Sequence, residues 1–221
     1  MDEIVTLVLF TTGALLAPAV SLARGYTLRQ AYARLASRWG AWASARGYAL
    51  VPGSLRLTNL QSPRVQGTLS PYNPALWTLD TMVLSPSAMP VPAAESAYAR
   101  QPYTVIAARA QIPVGAAVVV RNRQLHGHLA PPQGYRAMDL SDALFDDLCQ
   151  VLTGDERVAH HLLDARTRRA LVALARRPFV FTCVEGAVWI RWPGREEDEA
   201  LLDAAVEAIV GACAPRGFSG Y

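Results

Sequence analysis

The chain of 221 residues is long enough for one well-buried domain, whereas two equal domains would each lie near the lower size limit. All 21 basic side chains are arginine, and they outnumber the 18 acids by three, with the basic character lying toward the N-terminal end. Three separated cysteines without a Cys-x-x-Cys pair argue against a disulfide framework and indicate reduced, buried thiols.

The first segment, residues 4–22, is uncharged throughout. As a helix it rises about 28 Å, close to the roughly 30 Å hydrocarbon core of a bilayer. Its few less apolar residues are scattered around the helix, so no polar face remains for water. The sequence predicts a transmembrane helix over residues 1–24 that contacts membrane lipid through residues 4–22.

Two alternatives stay open for this segment: a helix buried in a soluble core, and a cleaved export signal. The acidic start Asp2-Glu3 disfavours a cleaved signal, because such signals begin with positive charge. Four arginines follow the apolar run before the next acid: Arg24, Arg29, Arg34 and Arg38. The positive-inside rule then places the following domain in the cytoplasm of a bacterial inner-membrane protein, with these arginines at the membrane surface.

Residues 25–48 predict a second, amphipathic helix. The sequence Thr27-Leu28-Arg29-Gln30 has the form of a capping box at its start, and Gly47 suits its end. Apolar residues repeat at three- and four-residue intervals. We expect this stripe to pack on the sheet: Leu28, Tyr32, Leu35, Trp39 and Trp42.

Between residues 50 and 123 the apolar pattern changes to a period of two, with proline, glycine and asparagine between the segments. Five segments predict a mostly antiparallel sheet: "LRLTNL", "RVQGTL", "LWTLDTMVLS", "YTVIAARAQ" and "AAVVVRNR". A Pro-rich loop is expected over residues 85–102, and a second loop over residues 124–138.

Residues 139–221 return to helices around one hairpin. Asp155 and Asp164 are placed to cap two short helices, and Glu185-Gly186 joins the strands "FVFTCV" and "AVWIRW". The last helix begins in "REEDE", whose acids suit a helix N-terminus. The whole pattern predicts an α+β fold, with an N-terminal membrane-type helix, an amphipathic helix, a mostly antiparallel sheet, and C-terminal helices with a β-hairpin. Residues 25–221 would form a single cytoplasmic domain.

Histidines provide the sharpest candidate for chemistry. His126 and His128 share one side if their segment is an extended strand, and His160 is an obvious third metal ligand. The spacing matches no recognised ligand signature, so incidental histidines of a surface loop are the favoured interpretation. The sequence predicts no metal site, no cofactor and no catalytic residue.

A rival interpretation is a soluble hydrolase-type enzyme, in which residues 4–22 are buried and a metal or Cys/His site carries the chemistry. Cys149, in the strand-like "LCQVL", can be drawn as a nucleophile with His160 or His161 as its base, although nothing in the sequence brings them together. A basic helix around Arg168 is the best argument for nucleic acid, but no aromatic platform or glycine-rich cradle accompanies it. Nucleic acid is therefore not an expected partner.

The segment "LFDDLCQVLTGDERVAHHLLDARTRRALVAL" resembles a pattern found in uncharacterised bacterial proteins, a domain of unknown function with an N-terminal membrane segment. In these proteins Phe-Asp precedes a short strand, a Gly-Asp turn and a helix that ends in Leu-Leu. The matching positions are Phe145, Asp146, Val151, Gly154, Asp155, Ala159, Leu162 and Leu163. The resemblance implies a membrane-anchored α+β domain and supplies no catalytic residue.

These observations predict a membrane-anchored protein without catalysis of its own. Its expected role is binding, scaffolding or service as an accessory subunit, with other membrane or cytoplasmic proteins as partners. The sheet surface or the Pro-rich loop would supply the binding energy.

Overall fold

The protein is described here by a computed structural model. The backbone is described for residues 2–56, 59–70, 73–83, 102–109, 117–127 and 129–214. Side chains in these ranges are described from residue 22 onward, except at 59, 70, 73–75 and 83. The Pro-rich loop and His128 lie outside the described residues.

The described residues form six helices and eleven strands. The helices are α1 (Asp2–Arg46), α2 (Arg123–His126), α3 (Ala143–Leu148), α4 (Glu156–Leu162), α5 (Ala165–Ala173) and α6 (Glu199–Ala212). The strands are β1 (Ala49–Val51), β2 (Leu55–Arg56), β3 (Asn59–Leu60), β4 (Arg64–Ser70), β5 (Asn73–Val83), β6 (Pro102–Arg109), β7 (Ala117–Asn122), β8 (Arg136–Met138), β9 (Cys149–Thr153), β10 (Val180–Val184) and β11 (Ala187–Pro193).

Nine of these strands form one antiparallel sheet in the order β1-β4-β5-β6-β11-β10-β7-β9-β8. The predicted α+β class and mostly antiparallel sheet are confirmed. The hairpin between β10 and β11 turns at Glu185 and Gly186, both with positive φ, as the favoured two-residue turn requires. The segment "LRLTNL", expected as one strand, is instead the separate short hairpin of β2 and β3.

The sheet has two unlike faces. On the core face one row of direct cross-strand neighbours runs through five strands, and each member is fully buried: Leu79, Ile106, Ile190, Phe181 and Val120. Helices α1, α3, α4, α5 and α6 all contribute side chains to this one core. The opposite face, called the outer face below, carries the alternate residues, and its corresponding row is more polar: Asp80, Val105, Arg191, Val180, Arg121 and Gln150.

The two helices predicted for residues 1–48 form one continuous helix, so the capping-box prediction was wrong. The Thr27 hydroxyl does not accept from a backbone amide; it donates to the Arg24 carbonyl at 2.9 Å, one turn earlier in the same helix. Gly25 does not interrupt the helix either. The end was predicted correctly, because Gly47 has φ +70° and the Tyr48 amide bonds back to the Ala43 carbonyl at 2.8 Å.

The predicted helix caps in the C-terminal part are confirmed. Asp155 accepts from two amides at the start of α4, and Asp164 accepts from the Thr167 amide of α5. Asp198 of "REEDE" is the N-cap of α6. Helix α3 and the edge strand β8 were not predicted.

In the portion of the chain that the structure describes, no helix combines the length and apolarity needed to cross a bilayer. The side chains of residues 4–21 lie outside that portion. The predicted transmembrane segment therefore stays a prediction.

Candidate functional site

The most elaborate set of long-range contacts joins the C-terminal half of α1 to the sheet domain. We call this set of contacts, over residues 35–46, the junction. Leu35, Trp39, Trp42 and Ala43 are all buried against the domain core. The predicted packing of the apolar stripe on the sheet is confirmed for its last three members, while Leu28 and Tyr32 are half-buried.

One carboxylate of α6 receives three bonds from α1. The Trp42 indole N–H donates to Asp203 Oδ1 at 2.9 Å, and the Arg46 guanidinium donates to both Asp203 oxygens at 2.5 Å. The hydrogen bond to Asp203 is the chief cause that raises the pKa of Arg46 above its usual value. A bidentate arginine–carboxylate pair fixes direction as well as distance. This contact with α6 therefore fixes the rotation of α1 about its own axis.

Three aromatic rings fill the space between α1 and the first strands. Trp42 lies 5.3 Å from Tyr48 and 6.2 Å from Trp77, centroid to centroid, and Tyr48 meets Trp77 edge-on at 4.8 Å. Such tilted and edge-on pairs are the favoured arrangements of aromatic quadrupoles. Gly67 of β4 makes room for them, because a Cβ there would lie 2.6 Å from the Trp77 ring.

Glu196, in the loop between β11 and α6, provides the second group of contacts in the junction. Its side chain is buried, and Arg177 donates to both of its oxygens at 3.0 and 3.2 Å. The Trp192 indole donates to Oε2 at 3.1 Å, and the amides of Glu197 and Asp198 donate to Oε1. A buried carboxylate with this many donors is fully compensated and rigid.

The backbone and neighbours of Glu196 reach α1 directly. The Trp39 indole donates to the Glu196 carbonyl at 2.9 Å inside the protein. The Arg195 guanidinium lies 5.4 Å from the centre of the Tyr32 ring, and Arg38 forms an exposed pair with Glu197 at 3.9 Å. The junction thus holds the long helix and the domain in one relative orientation.

The sequence analysis missed Glu196. It treated the four acids of "REEDE" alike, as residues suited to a helix N-terminus, which describes Asp198 and Glu199 correctly. Nothing in the local sequence distinguishes Glu196, because its partners Arg177 and Trp39 are 19 and 157 residues away.

The part of α1 before the junction protrudes from the domain. Leu22 and Tyr26 have 63% and 57% of their surface exposed, and Arg24, Arg29 and Arg34 are exposed as well. Of the four arginines expected at a membrane surface, Arg38 is the one whose acidic partner is described.

The structure does not assemble the candidate histidine ligands. His126 is the last residue of the short helix α2, so the premise of an extended segment was wrong. Helix α2 begins after Asn122, because the Asn122 side chain caps it by accepting from the Leu125 amide. His160 is exposed on α4, and no group of three or more metal-ligating side chains occurs among the described residues.

The cysteines are poor nucleophiles. Burial raises the pKa of Cys149, Cys183 and Cys213 to about 12, so each is a neutral thiol at pH 7. For Cys149 the nearby Arg123 opposes this shift and Asp146 adds to it. The thiolate that a Cys/His site requires is therefore not formed at Cys149.

The residues that carry the family resemblance have structural roles. Phe145 is fully buried, and the Asp146 carboxylate accepts from the amides of Leu140 and Asp142, which closes the turn before α3. Asp155 caps α4. These contacts account for a Phe-Asp and Gly-Asp pattern without any catalytic role.

Large apolar side chains are also exposed away from α1. On the outer face, Leu76 and Met82 of β5 have 53% and 47% of their surface exposed. Leu125 on α2 and Leu144 on α3 have 49% and 62%. These are surfaces on which another protein can bury apolar area.

Comparison with known proteins identifies a similar fold. No protein-family model matches the chain, and no curated protein matches it. Among solved structures, the fold resembles the crystal structure of the mycobacterial trehalose monomycolate transport factor A, TtfA. The TM-score is 0.50 at 13% sequence identity, and the match covers 80% of this chain and 91% of that chain. At this identity the likeness shows a common fold only.

Proposed function

We propose that this protein is a membrane-anchored accessory subunit that binds other proteins and performs no catalysis itself. Residues 4–22 span the bacterial inner membrane, and the α+β domain lies in the cytoplasm. The observation that carries the proposal is the junction. The apolar segment belongs to the continuous helix α1, and the junction holds the C-terminal half of that helix against the domain in a fixed orientation. An anchor built this way holds the domain at a defined position relative to the bilayer.

The process that this proposal favours is membrane transport. Support comes from the structural neighbour, which is a transport factor. The resemblance of the Phe145–Leu163 region to membrane-anchored proteins is consistent with the anchor and does not bear on the process. Partner binding is assigned to the β5 part of the outer face, where Leu76 and Met82 are exposed, because Val105, Arg191 and Arg121 on the neighbouring strands are buried.

The test is solubilisation of native membranes in mild detergent, followed by purification of the full chain. The expected result is a stoichiometric complex with an integral membrane transport protein. Leu76→Arg with Met82→Arg should leave the chain in the membrane and remove the partner, because a charge on each side chain prevents its burial. The matched control is Leu125→Arg with Leu144→Arg, two comparably exposed leucines on helices α2 and α3, which should retain the partner.

Two results would contradict the proposal. One is a wild-type chain found in the soluble fraction. The other is turnover of a defined substrate by the purified full chain, which would support the alternative of a hydrolase-type enzyme.

A further inference from the structure

The arginines of this protein fall into two groups by their partners. Those of the folded domain are mostly paired with acids, as Arg46 is with Asp203 and Arg166 with Glu207. Arg24, Arg29 and Arg34 on the protruding part of α1 are exposed, and within the described ranges none of them forms an ion pair. Three uncompensated positive charges therefore lie beside the apolar segment.

Their positions along the helix separate these arginines further. With a rise of about 1.5 Å per residue, Arg24 lies about 3 Å beyond Leu22 and Arg29 about 10 Å, whereas Arg34 lies about 18 Å and Arg38 about 24 Å away. Electrostatic attraction in physiological salt decays over about 8 Å. Arg24 therefore lies within one such length of the end of the apolar segment and Arg29 just beyond one, whereas Arg34 and Arg38 lie about two and three lengths away.

We propose that Arg24 and Arg29 bind the headgroups of anionic phospholipids, and that Arg34 and Arg38 do not. The proposal rests on the membrane anchoring proposed above and names the lipid class that the anchor contacts. Exposed cations next to an apolar span are complementary to a negatively charged leaflet. Tyr26 lies between the two arginines with 57% of its surface exposed, and an aromatic ring with a polar end suits the same interfacial depth. Arg38 instead faces Glu197 of the domain.

The test uses the full chain reconstituted into vesicles of phosphatidylcholine and phosphatidylglycerol. Spin-labelled lipids of the two kinds report which lipid is immobilised next to the protein. The expected result is a preference for phosphatidylglycerol of roughly fivefold, the scale of one basic side chain near an anionic surface, which decreases at high salt. Arg24→Gln with Arg29→Gln should abolish the preference, and the control Arg34→Gln with Arg38→Gln should keep it.

The outcomes that overturn the proposal are distinct. Equal immobilisation of both lipids by the wild-type protein contradicts it. An equal loss of the phosphatidylglycerol preference in the two double variants also contradicts it, because the preference would then not depend on the distance of each arginine from the apolar segment. Binding of a short DNA duplex that is lost only in Arg24→Gln with Arg29→Gln would assign the pair to nucleic acid instead. A chain that does not enter vesicles at all would refute the anchoring itself, which is a different failure.

Discussion

Residues 22–34 and 35–46 belong to the same helix but lie in opposite environments. The first part exposes Leu22 and Tyr26, whereas the second buries Leu35, Trp39 and Trp42 completely or almost so. The continuous backbone shows that this difference does not come from a break in secondary structure. It comes from where α6, the Glu196 loop and the first strands meet the helix, so contacts distant in sequence decide which part of α1 is docked on the domain.

The largest effect is expected from truncation of a ring in the buried part. Trp42→Ala should lower the free energy of unfolding by about 3–5 kcal/mol, because it leaves a cavity beside Tyr48 and Trp77 and removes a bond to Asp203. Tyr26→Ala in the exposed part should change it by less than about 0.5 kcal/mol. Urea unfolding of the full chain in mild detergent, followed by circular dichroism, measures both. Equal effects would show that the two parts of the helix are not docked differently.

A second difference concerns two neighbouring glutamates in one loop. Glu196→Gln should cost about 2 kcal/mol, because it removes the charge that Arg177 and the Trp192 indole share inside the protein. Glu197→Gln should have almost no effect, since Glu197 is exposed and its ion pair among the described residues is a long one, with Arg38 at 3.9 Å. The same unfolding measurement applies. A similar cost for both variants would contradict the role assigned to Glu196 in the junction.

The smallest effect is a pH dependence where α5 and α6 meet. Arg166 donates a hydrogen bond to Glu207 and lowers the pKa of that carboxyl below 4.5. The stabilisation is thus present above pH 4.5 and is lost as the pH falls through the lower pKa of the folded protein. Both side chains are almost half exposed, so the contribution should be less than about 0.5 kcal/mol and should weaken in salt.

The matched variant for this pH effect is Arg166→Gln. Its free energy of unfolding should lie below that of the wild type at neutral pH, and the difference should shrink as the pH falls through the lowered pKa of the Glu207 carboxyl. A constant difference as the pH falls would show that the Glu207 carboxyl is not linked to Arg166.

Regular local patterns allowed most of the fold to be predicted from the sequence. The period of two identified β4 through β7 and the hairpin of β10 and β11, and the aspartates at 155 and 164 identified two helix starts. The errors occurred where one residue type serves two local structures. Thr27 was expected to cap a new helix, yet a threonine hydroxyl can equally bond to a carbonyl inside a continuing helix, as it does here.

The junction was predictable only in part. The stripe of Trp39 and Trp42 indicated a buried face. The sequence does not show that the two indoles would donate to the Glu196 carbonyl and the Asp203 carboxylate, 157 and 161 residues away. His126 was expected in a surface loop, and helix α2 was missed because Asn122 was not recognised as a helix cap. Local patterns predict secondary structure, and the choice of distant polar partners depends on the assembled fold.

Alkaline extraction of membranes from cells that express the full chain tests the proposed anchor most directly. The wild-type protein is predicted to remain in the membrane pellet, and Leu9→Arg with Leu15→Arg is predicted to shift it to the supernatant, because two charges make the span unfavourable. Release of the wild-type protein into the supernatant would contradict the membrane anchor.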